Sequence, residues 1–423
     1  MKNTTLRLIL IILISASIGY YFGINKVALD WKNYKPSLSI VNKKPPPQTT
    51  VDFSLFWNVW EKLEENFYDK SKLDPQQMVN GGISGMVQSL GDPYTIYLPP
   101  QQNSNFKQGL AGQFSGIGAE LGMRDKQVVV IAPLDGSPAY KAGVRPADAI
   151  IKVDGVSTLG WSLSQAVEKI RGEKGTEVIL TVIHKDSKKS EDLKIIRDII
   201  TIKSVEGWVK EIKDIDKVQS SSRLSRDKVQ SYRIAYIRLS QFGDQTNKEW
   251  VSLVNTLSLQ IQGDKSVKGL ILDLRNNPGG YLTDAVFIAS EFLGVGKTVV
   301  LEDNGRDNKT AVSAARKGLF LNIPLVILIN KGSASASEIV AAAMRDNNRA
   351  ILVGETSFGK GSIQMANDLG NGAGLHITIA KWLTPKGVWV NGKGLKPDIE
   401  VKLDDKDQSR DLQLEKAVGE LLQ

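Results

Sequence analysis

The stretch "INKGSASASEIVAAAMRDNNRAILVGETSFGKGSIQ", Ile329 to Gln364, decides how this chain is read. It completes the apolar run "PLVILIN", passes a small-residue turn and continues as "SEIVAAAMRDNN", whose apolar spacing predicts a helix. A second apolar run, "AILVG", leads into "GETSFGKGSIQ". Strand, tight turn and helix start together are a common way to expose a nucleophile. The helix N-terminus adds free N–H groups and positive potential that favour an oxyanion. Three serines compete for that role, Ser333, Ser335 and Ser337. Ser337, directly before the apolar run, equally suits a helix N-cap.

A serine nucleophile needs a base. The chain has only two histidines, His184 and His376, so the usual base is scarce and Lys, Asp or Glu must be considered. Lys360 stands between Gly359 and Gly361, which let the backbone pass close to another element. A lysine packed there loses hydration of its charged form, and its pKa falls. A fall of about three units from ~10.4 brings it near neutrality at a cost of roughly 4 kcal/mol. The same loop approximates the phosphate pattern GxxxxGK[ST] from Gly354. Gly361 stands where Ser or Thr belongs and no helix pattern follows, which argues against a nucleotide site. A solvent-exposed lysine in a glycine loop remains the plain alternative.

Working outward, 423 residues with 41% hydrophobic and 24% charged content describe a globular chain of two or three domains. The absence of cysteine excludes disulfides, thiolate metal sites and a cysteine nucleophile, and two histidines do not make a His-rich zinc site. No metal or cofactor is called for. The net charge of +8 is dispersed and reads as solvated surface, not a nucleic-acid site; membrane headgroups are the alternative anionic partner.

At the N-terminus, Lys2 and Arg7 precede the uncharged run "LILIILISASIGYYFG", Leu8 to Gly23. It reads as a signal-anchor with Tyr20, Tyr21 and Phe22 at the interface. A signal peptide cleaved after "SAS" at Ser15 to Ser17 is the alternative. Both place the bulk of the chain on the extracytoplasmic side, in the cell envelope or beyond it. Residues 24–50, ending in "KKPPPQTT", read as a linker. Phe53, Phe56, Trp57, Trp60, Leu63 and Phe67 then form one helical stripe, and a second helix is predicted over 75–90. That stripe must dock on a neighbour or a second subunit, so a homo-oligomer is one expectation. From about Gly112 short strands, turns and two helices predict an α+β module. From about Thr201 the runs "YRIAYIRL", "KGLILDL", "PLVILIN" and "AILVG" alternate with helical stretches at 281–293 and 335–347. Continuous apolar strands between helices predict a mostly parallel sheet covered on both faces. The polar run "KVQSSSRLSRDKVQ" reads as a surface insertion.

The block from Asn330 to Gln364 closely resembles the core motif of the C-terminal processing peptidases, or tail-specific proteases. "LDLRNNPGG", "GDPYTIYL", "FSGIGAEL" and "TPKGVWVNGKGLKPDIEV" resemble further blocks of that family, over roughly residues 52–402. The resemblance implies an α/β ClpP/crotonase-like protease core at 201–410, an inserted α+β PDZ domain at 109–200 and an N-terminal helical cap at 51–108. Residues 1–23 would be the export segment and 411–423 a C-terminal helix. It implies a Ser–Lys dyad: Ser335 as nucleophile, Lys360 as base, and Gln364 orienting the lysine. Asp346 falls at an acidic position that is a possible accessory, although a carboxylate near a neutral lysine opposes its deprotonation. Ala336 N–H is the natural first oxyanion donor, with Gly279 or Gly280 of "NNPGG" as the second.

In the module, "SGIGAEL" resembles a PDZ carboxylate loop. N–H groups at Ile117, Gly118 and Ala119, turned by Gly116 and Gly118, would hold a peptide's free C-terminus while the peptide adds as a strand. The sequence departs from the pattern at Ala147, in place of Gly, which is tolerable only at negative φ. His184 stands where relatives carry Arg. The resulting reading is an exported serine endopeptidase that recognises protein or peptide C-termini. A peptide-binding scaffold with a silent core and a crotonase-type acyl-CoA enzyme are the rivals.

Overall fold

The computed structural model describes residues 52–212, 232–305, 309–402 and 410–423, apart from positions 135, 186 and 188, together with 14–16, 27–32 and 35–40. The chain divides into two compact units, Met1–Met78 and Val79–Gln423.

In the first unit an antiparallel hairpin joins β1 (Val27–Lys32) to β2 (Lys35–Ile40). Helix α1 (Ser54–Asn66) starts where the Asp52 carboxylate accepts from Ser54 N–H at 2.8 Å. No residue of α1 is buried. Its aromatic side chains pack on one another, Phe56 against Trp57 at 5.2 Å and Trp57 against Trp60 at 6.0 Å. Of the run Leu8–Gly23, only the exposed helical turn at 14–16 is within the described residues. The polar insertion at 217–230 and the linker's proline run also lie outside them. Among the described residues, no helix is long and apolar enough to cross a membrane.

Helix α2 (Pro75–Gln88) begins at Asp74, whose side chain accepts from Gln76 and Gln77 N–H. Then come β3 (Ile96–Leu98), α3 (Pro100–Leu110) and β4 (Gln113–Gly116). The α+β module follows: β5 (Ala119–Arg124), β6 (Gln127–Pro133), α4 (Pro138–Lys141), β7 (Ala149–Val153), β8 (Val156–Ser157), α5 (Leu163–Ile170), β9 (Glu177–Ile183) and β10 (Ser190–Ile196). Its antiparallel sheet runs β10-β9-β7-β6-β5, which leaves β5 on the edge. Val178, Leu180 and Val182 alternate into its core with Val128, Val130 and Ile150. Strand β11 (Asp198–Thr201) returns to pair with β4. Ala147 corrects one expectation, for its φ is +67°. The Ala147 N–H donates to Val130 O and Val130 N–H donates to Asp148 O, both at 2.8 Å. Those two bonds hold the left-handed turn against a penalty of roughly 1–2 kcal/mol for a residue with a Cβ.

The second sheet runs β12-β13-β14-β17-β18-β21, with β12 (Val205–Ile212), β13 (Tyr232–Leu239), β14 (Val267–Asp273), β17 (Leu325–Ile329), β18 (Ile351–Gly354) and β21 (Ile399–Glu400). Only β12 is antiparallel to its neighbour, as the apolar runs predict. Both faces are covered. Ala235, Ile237, Leu272 and Ile327 pack towards α6 (Thr246–Ile261), α7 (Leu282–Ala289) and α8 (Ala336–Asp346). Ile234, Ile271, Val326 and Val353 pack around Ala417 of α9 (Leu412–Leu421). Buried Arg275 pins that last helix by pairing with Asp273 at 2.6 Å and Asp411 at 2.8 Å. A third sheet, β16-β15-β20-β19, comprises β15 (Thr298–Asp303), β16 (Lys309–Ser313), β19 (Ser362–Gly370) and β20 (Ala373–Leu383), with β3 also pairing β20.

Candidate active site

Strand β17 ends at Ile329, and a five-residue turn delivers Ser335 to the N-terminal end of α8. Ser335 is the N-cap, at φ +55° and ψ −115°. A non-glycine residue there carries strain of about 1–3 kcal/mol, and a sharp strand-to-helix turn of this kind lifts a side chain clear of the sheet. Its two neighbours are occupied. Buried Ser333 Oγ donates to Leu274 O at 2.8 Å and accepts from Asn330 N–H at 3.0 Å. Buried Ser337 Oγ donates to Asn277 O at 2.9 Å. Ser337 is therefore a clamp inside the first turn and not the N-cap that its place before the apolar run suggested.

Glu338, which the sequence reading did not single out, joins the serine turn to the lysine loop. Its side chain is fully buried. Oε2 accepts from Ser335 N–H at 2.8 Å and from Lys360 N–H at 2.9 Å. Oε1 accepts from Ser357 Oγ at 2.5 Å and from Gly359 N–H at 2.7 Å. One carboxylate thus fixes the backbone of both candidate reacting residues. The signal was available as Ser335-x-x-Glu338, half of a capping box. Two indoles hold the other side of the loop: Trp382 Nε1 donates to Lys360 O at 2.7 Å and Trp389 Nε1 to Gly361 O at 2.8 Å.

The Lys360 side chain enters a cavity of about 580 Å³ that Ser335 also lines, and its Nζ lies 5.3 Å from the centre of the Tyr94 ring. Burial pushes the Lys360 ammonium below its ordinary pKa, while the Asp92 and Glu338 carboxylates pull the other way. Gln364 lines the same cavity, with its amide donating to Ser362 Oγ at 2.7 Å. Asp346 is not brought into it. It sits at the far end of α8, beside Arg345 at 3.4 Å, and accepts from Lys386 N–H at 3.1 Å. His376 lines the cavity too, 8% exposed, with its ring edge-to-face on Phe106 at 4.5 Å.

Of the two glycines read as oxyanion donors, Gly279 donates its N–H to Asn277 Oδ1 at 2.9 Å. The Gly280 N–H has no hydrogen-bond partner among the described residues, and neither does the Ala336 N–H. The backbone at Gly280 has φ +140° and packs so closely on Phe242 that an added Cβ would lie 1.7 Å from its carbonyl oxygen. Only glycine fits. An added Cβ on neighbouring Gly279 would fall 3.0 Å from Ala336 N, which measures how near the two loops come. Asn277 sets this approach: its Nδ2 donates to Leu239 O at 2.8 Å and its carbonyl accepts from Ala334 N–H at 3.0 Å.

A second groove, of about 330 Å³, runs between the edge of β5 and α5 in the α+β module. Gly116, Ile117, Gly118 and Ala119 line it together with Val167 and Ile170 of α5. The Ile117 and Gly118 carbonyls accept from Ala139 N–H at 2.8 Å and Leu134 N–H at 2.9 Å. With the carbonyls turned inwards, the N–H groups are left to the groove. Gly118 has φ +72°, and a Cβ there would lie 2.5 Å from Ser137 Cβ. His184 is held by Asp148 at 2.8 Å and Glu191 at 3.2 Å.

A serine at a strained helix start, a half-buried lysine in the same cavity and a peptide-sized groove beside a free strand edge define a serine-type peptidase with an appended peptide-binding domain. The family model of peptidase family S41 matches residues 233–401, that of the PDZ domain 129–183, and that of the activating protease CtpB N-terminal domain 12–101. The chain is 35% identical over 367 residues to carboxy-terminal processing protease CtpA of Bacillus subtilis (strain 168), covering 87% of this chain and 72% of that one. Carboxy-terminal processing protease CtpB of the same organism is 33% identical over 400 residues, covering 94% and 77%. Among solved structures, the photosystem II D1 C-terminal processing protease superposes with a TM-score of 0.50 at 31% identity, covering 82% of this chain and 92% of that one. The structure of an S41 protease from Bacteroides fragilis NCTC 9343 shares the fold with a TM-score of 0.56 at 13% identity, covering 90% and 99%. The chain belongs to peptidase family S41, among the carboxy-terminal processing proteases.

Proposed function

We propose that this C-terminal processing protease cleaves peptide bonds with a Ser335–Lys360 dyad. The observation that carries the reading is Glu338, which ties the Ser335 and Lys360 backbones together at the mouth of one cavity while burial disfavours the lysine's charge. Neutral Lys360 Nζ takes the Ser335 Oγ proton as that oxygen bonds to the scissile carbonyl carbon. The carbonyl π-electrons move onto oxygen, where the Ala336 and Gly280 N–H groups stabilise them. Collapse breaks the C–N bond, and the lysine ammonium gives its proton to the leaving amine. Water then enters, Lys360 takes one of its protons, and the hydroxide attacks the acyl ester. The second intermediate expels Ser335 Oγ, which recovers its proton. Gln364 shapes the wall beside the lysine, and Asp346 takes no part in these steps.

The PDZ groove binds a substrate's free carboxylate at the N–H groups of Ile117, Gly118 and Ala119, with the peptide adding to the edge of β5. The core is of the ClpP/crotonase type, with the PDZ domain at 109–200 inserted between helical cap and core. The apolar run Leu8–Gly23 tethers the chain to the membrane with its bulk outside the cytoplasm. The exposed aromatic stripe of α1 serves association with a second subunit. The deciding experiment is Lys360→Arg, which stays charged and cannot deprotonate. It is expected to abolish peptide hydrolysis with an unchanged Tm. Activity above a few per cent of wild type (order of magnitude from a lost general base) would defeat the dyad.

A further inference from the structure

His376 has no role in the steps above, yet it stands in the same cavity. Strand β20 pairs His376 with Ala366 of β19 on one side and Ile96 of β3 on the other. Because side chains alternate along a strand, His376 shares a face with Gln364 and Ala366, the wall that leads away from Lys360. Most of the remaining lining is apolar, including Phe106, Ile96, Leu110, Leu282 and Ile339, with Tyr94, Gln241, Tyr281 and Ser362 among the polar exceptions. His376 is 8% exposed, and among the described residues no hydrogen bond is made to its ring nitrogens, which keep some access to the cavity. A polar side chain buried to that degree is normally paired, and the exceptions call for a reason. Phe106 covers one edge of the ring, and the cavity is what remains for its nitrogens.

We propose that His376 is a specificity-determining residue that hydrogen-bonds the neutral polar tip, hydroxyl or carboxamide, of a substrate side chain lodged in this apolar cavity. The proposal rests on the peptidase reading of Ser335 and deepens it. Burial lowers the imidazole pKa and any charge on Lys360 lowers it further, which favours the neutral ring. A neutral imidazole offers one donor and one acceptor, so it serves a hydroxyl or an amide equally and favours no charged tip. An apolar body on the walls with a polar tip on the ring suits side chains such as Tyr, Gln or Thr over their hydrocarbon analogues. A site built to hydrogen-bond its substrate discriminates strongly against an analogue that leaves the buried group unpaired.

The test uses the full chain and matched peptides that differ only at the residue entering the cavity: Tyr against Phe, Gln against Met, Thr against Val. For wild type at least one pair is expected to favour the polar member by about tenfold in kcat/KM, the loss expected for one unpaired buried group. His376→Leu should bring that ratio to about one or below, and His376→Gln, which keeps a donor and an acceptor, should restore much of it. Wild type indifferent to every pair, or a His376→Leu ratio equal to wild type, would overturn the proposal. So would loss of activity on both members in both variants with Tm unchanged, because the ring would then belong to the chemical step. Ser335→Ala, assayed on the apolar members, reports separately on the peptidase reading. Cleavage that disappears there while the wild-type ratios stay flat removes the role of His376 and leaves the peptidase standing.

Discussion

Replacing Glu338 by glutamine probes the joint between the proposed nucleophile, Ser335, and the proposed base, Lys360. The buried carboxylate accepts four hydrogen bonds, two at each oxygen. Glutamine has one acceptor oxygen, so its NH₂ must face two donors whichever way it turns. In one orientation the Ser335 and Lys360 N–H groups lose their acceptor; in the other, Ser357 Oγ and Gly359 N–H lose theirs. With bonds to a charged acceptor contributing about 1.5–3 kcal/mol each, two lost bonds amount to about 3–6 kcal/mol. The loss is local to the two loops, and kcat should fall about a hundredfold, the scale of a displacement near 1 Å among reacting groups. The pH profile gives a second readout. As the proposed base, Lys360 can act only above its pKa, so activity is expected to fall on the acid side. Glu338 favours the charged lysine. Removing it lowers the lysine pKa further, and the acid limb of kcat/KM should move to lower pH. Steady-state kinetics across that limb, with Tm measured alongside, checks both effects. An unchanged kcat, or an acid limb displaced to higher pH, would refute the coupling.

Three further outcomes follow from the geometry. Ser333→Ala removes both a donor and an acceptor from a buried turn and should cost about 1–3 kcal/mol in thermal or denaturant unfolding. Ser337→Ala removes one of the two donors to the Asn277 carbonyl and leaves Ala334 N–H in place; it should cost about 1 kcal/mol, and both variants should retain partial peptidase activity. Amidating a substrate's C-terminus should lower kcat/KM at least tenfold, since charge-assisted bonds contribute about 1.5–3 kcal/mol each. Gly118→Val should reproduce the loss, and equal values for acid and amide peptides would end the tail-reading claim. The imidazole of His184 titrates above its ordinary value because Asp148, and secondarily Glu191, stabilise its charged form. Its contribution to stability is full below the unfolded pKa of about 6.5 and is lost as pH rises through the folded value. Tm of Asp148→Asn should lack that alkaline decline, and NMR titration of His184 measures the shift directly.

The parallel sheet was readable because its strands are unbroken apolar runs, and burial on both faces leaves no other use for such runs. The serine turn was readable from the small residues between strand and helix. Position along the chain could not rank the three serines. What separates them is the carbonyls that Leu274 and Asn277 present to Ser333 and Ser337, and those arrive from the turn after β14. Gly279 and Gly280 read alike for the same reason, until Asn277 occupied one N–H. Ala147 failed because its turn is held by Val130, seventeen residues away in sequence. Lys360 stood out only as a lysine between glycines; its loop is held by Trp382 and Trp389 and its Nζ lies over Tyr94, none of which is local to it.

The left-handed conformation of Ser335 bears on how this protein tolerates change. Only glycine relaxes fully at φ +55° and ψ −115°, and it would release most of about 1–3 kcal/mol of strain against an entropic loss of roughly 0.5–1 kcal/mol. Stability and turnover therefore pull in opposite directions at a single codon. A thermostabilising redesign that scores fold energy alone is biased towards glycine at this position, where the proposed nucleophile stands.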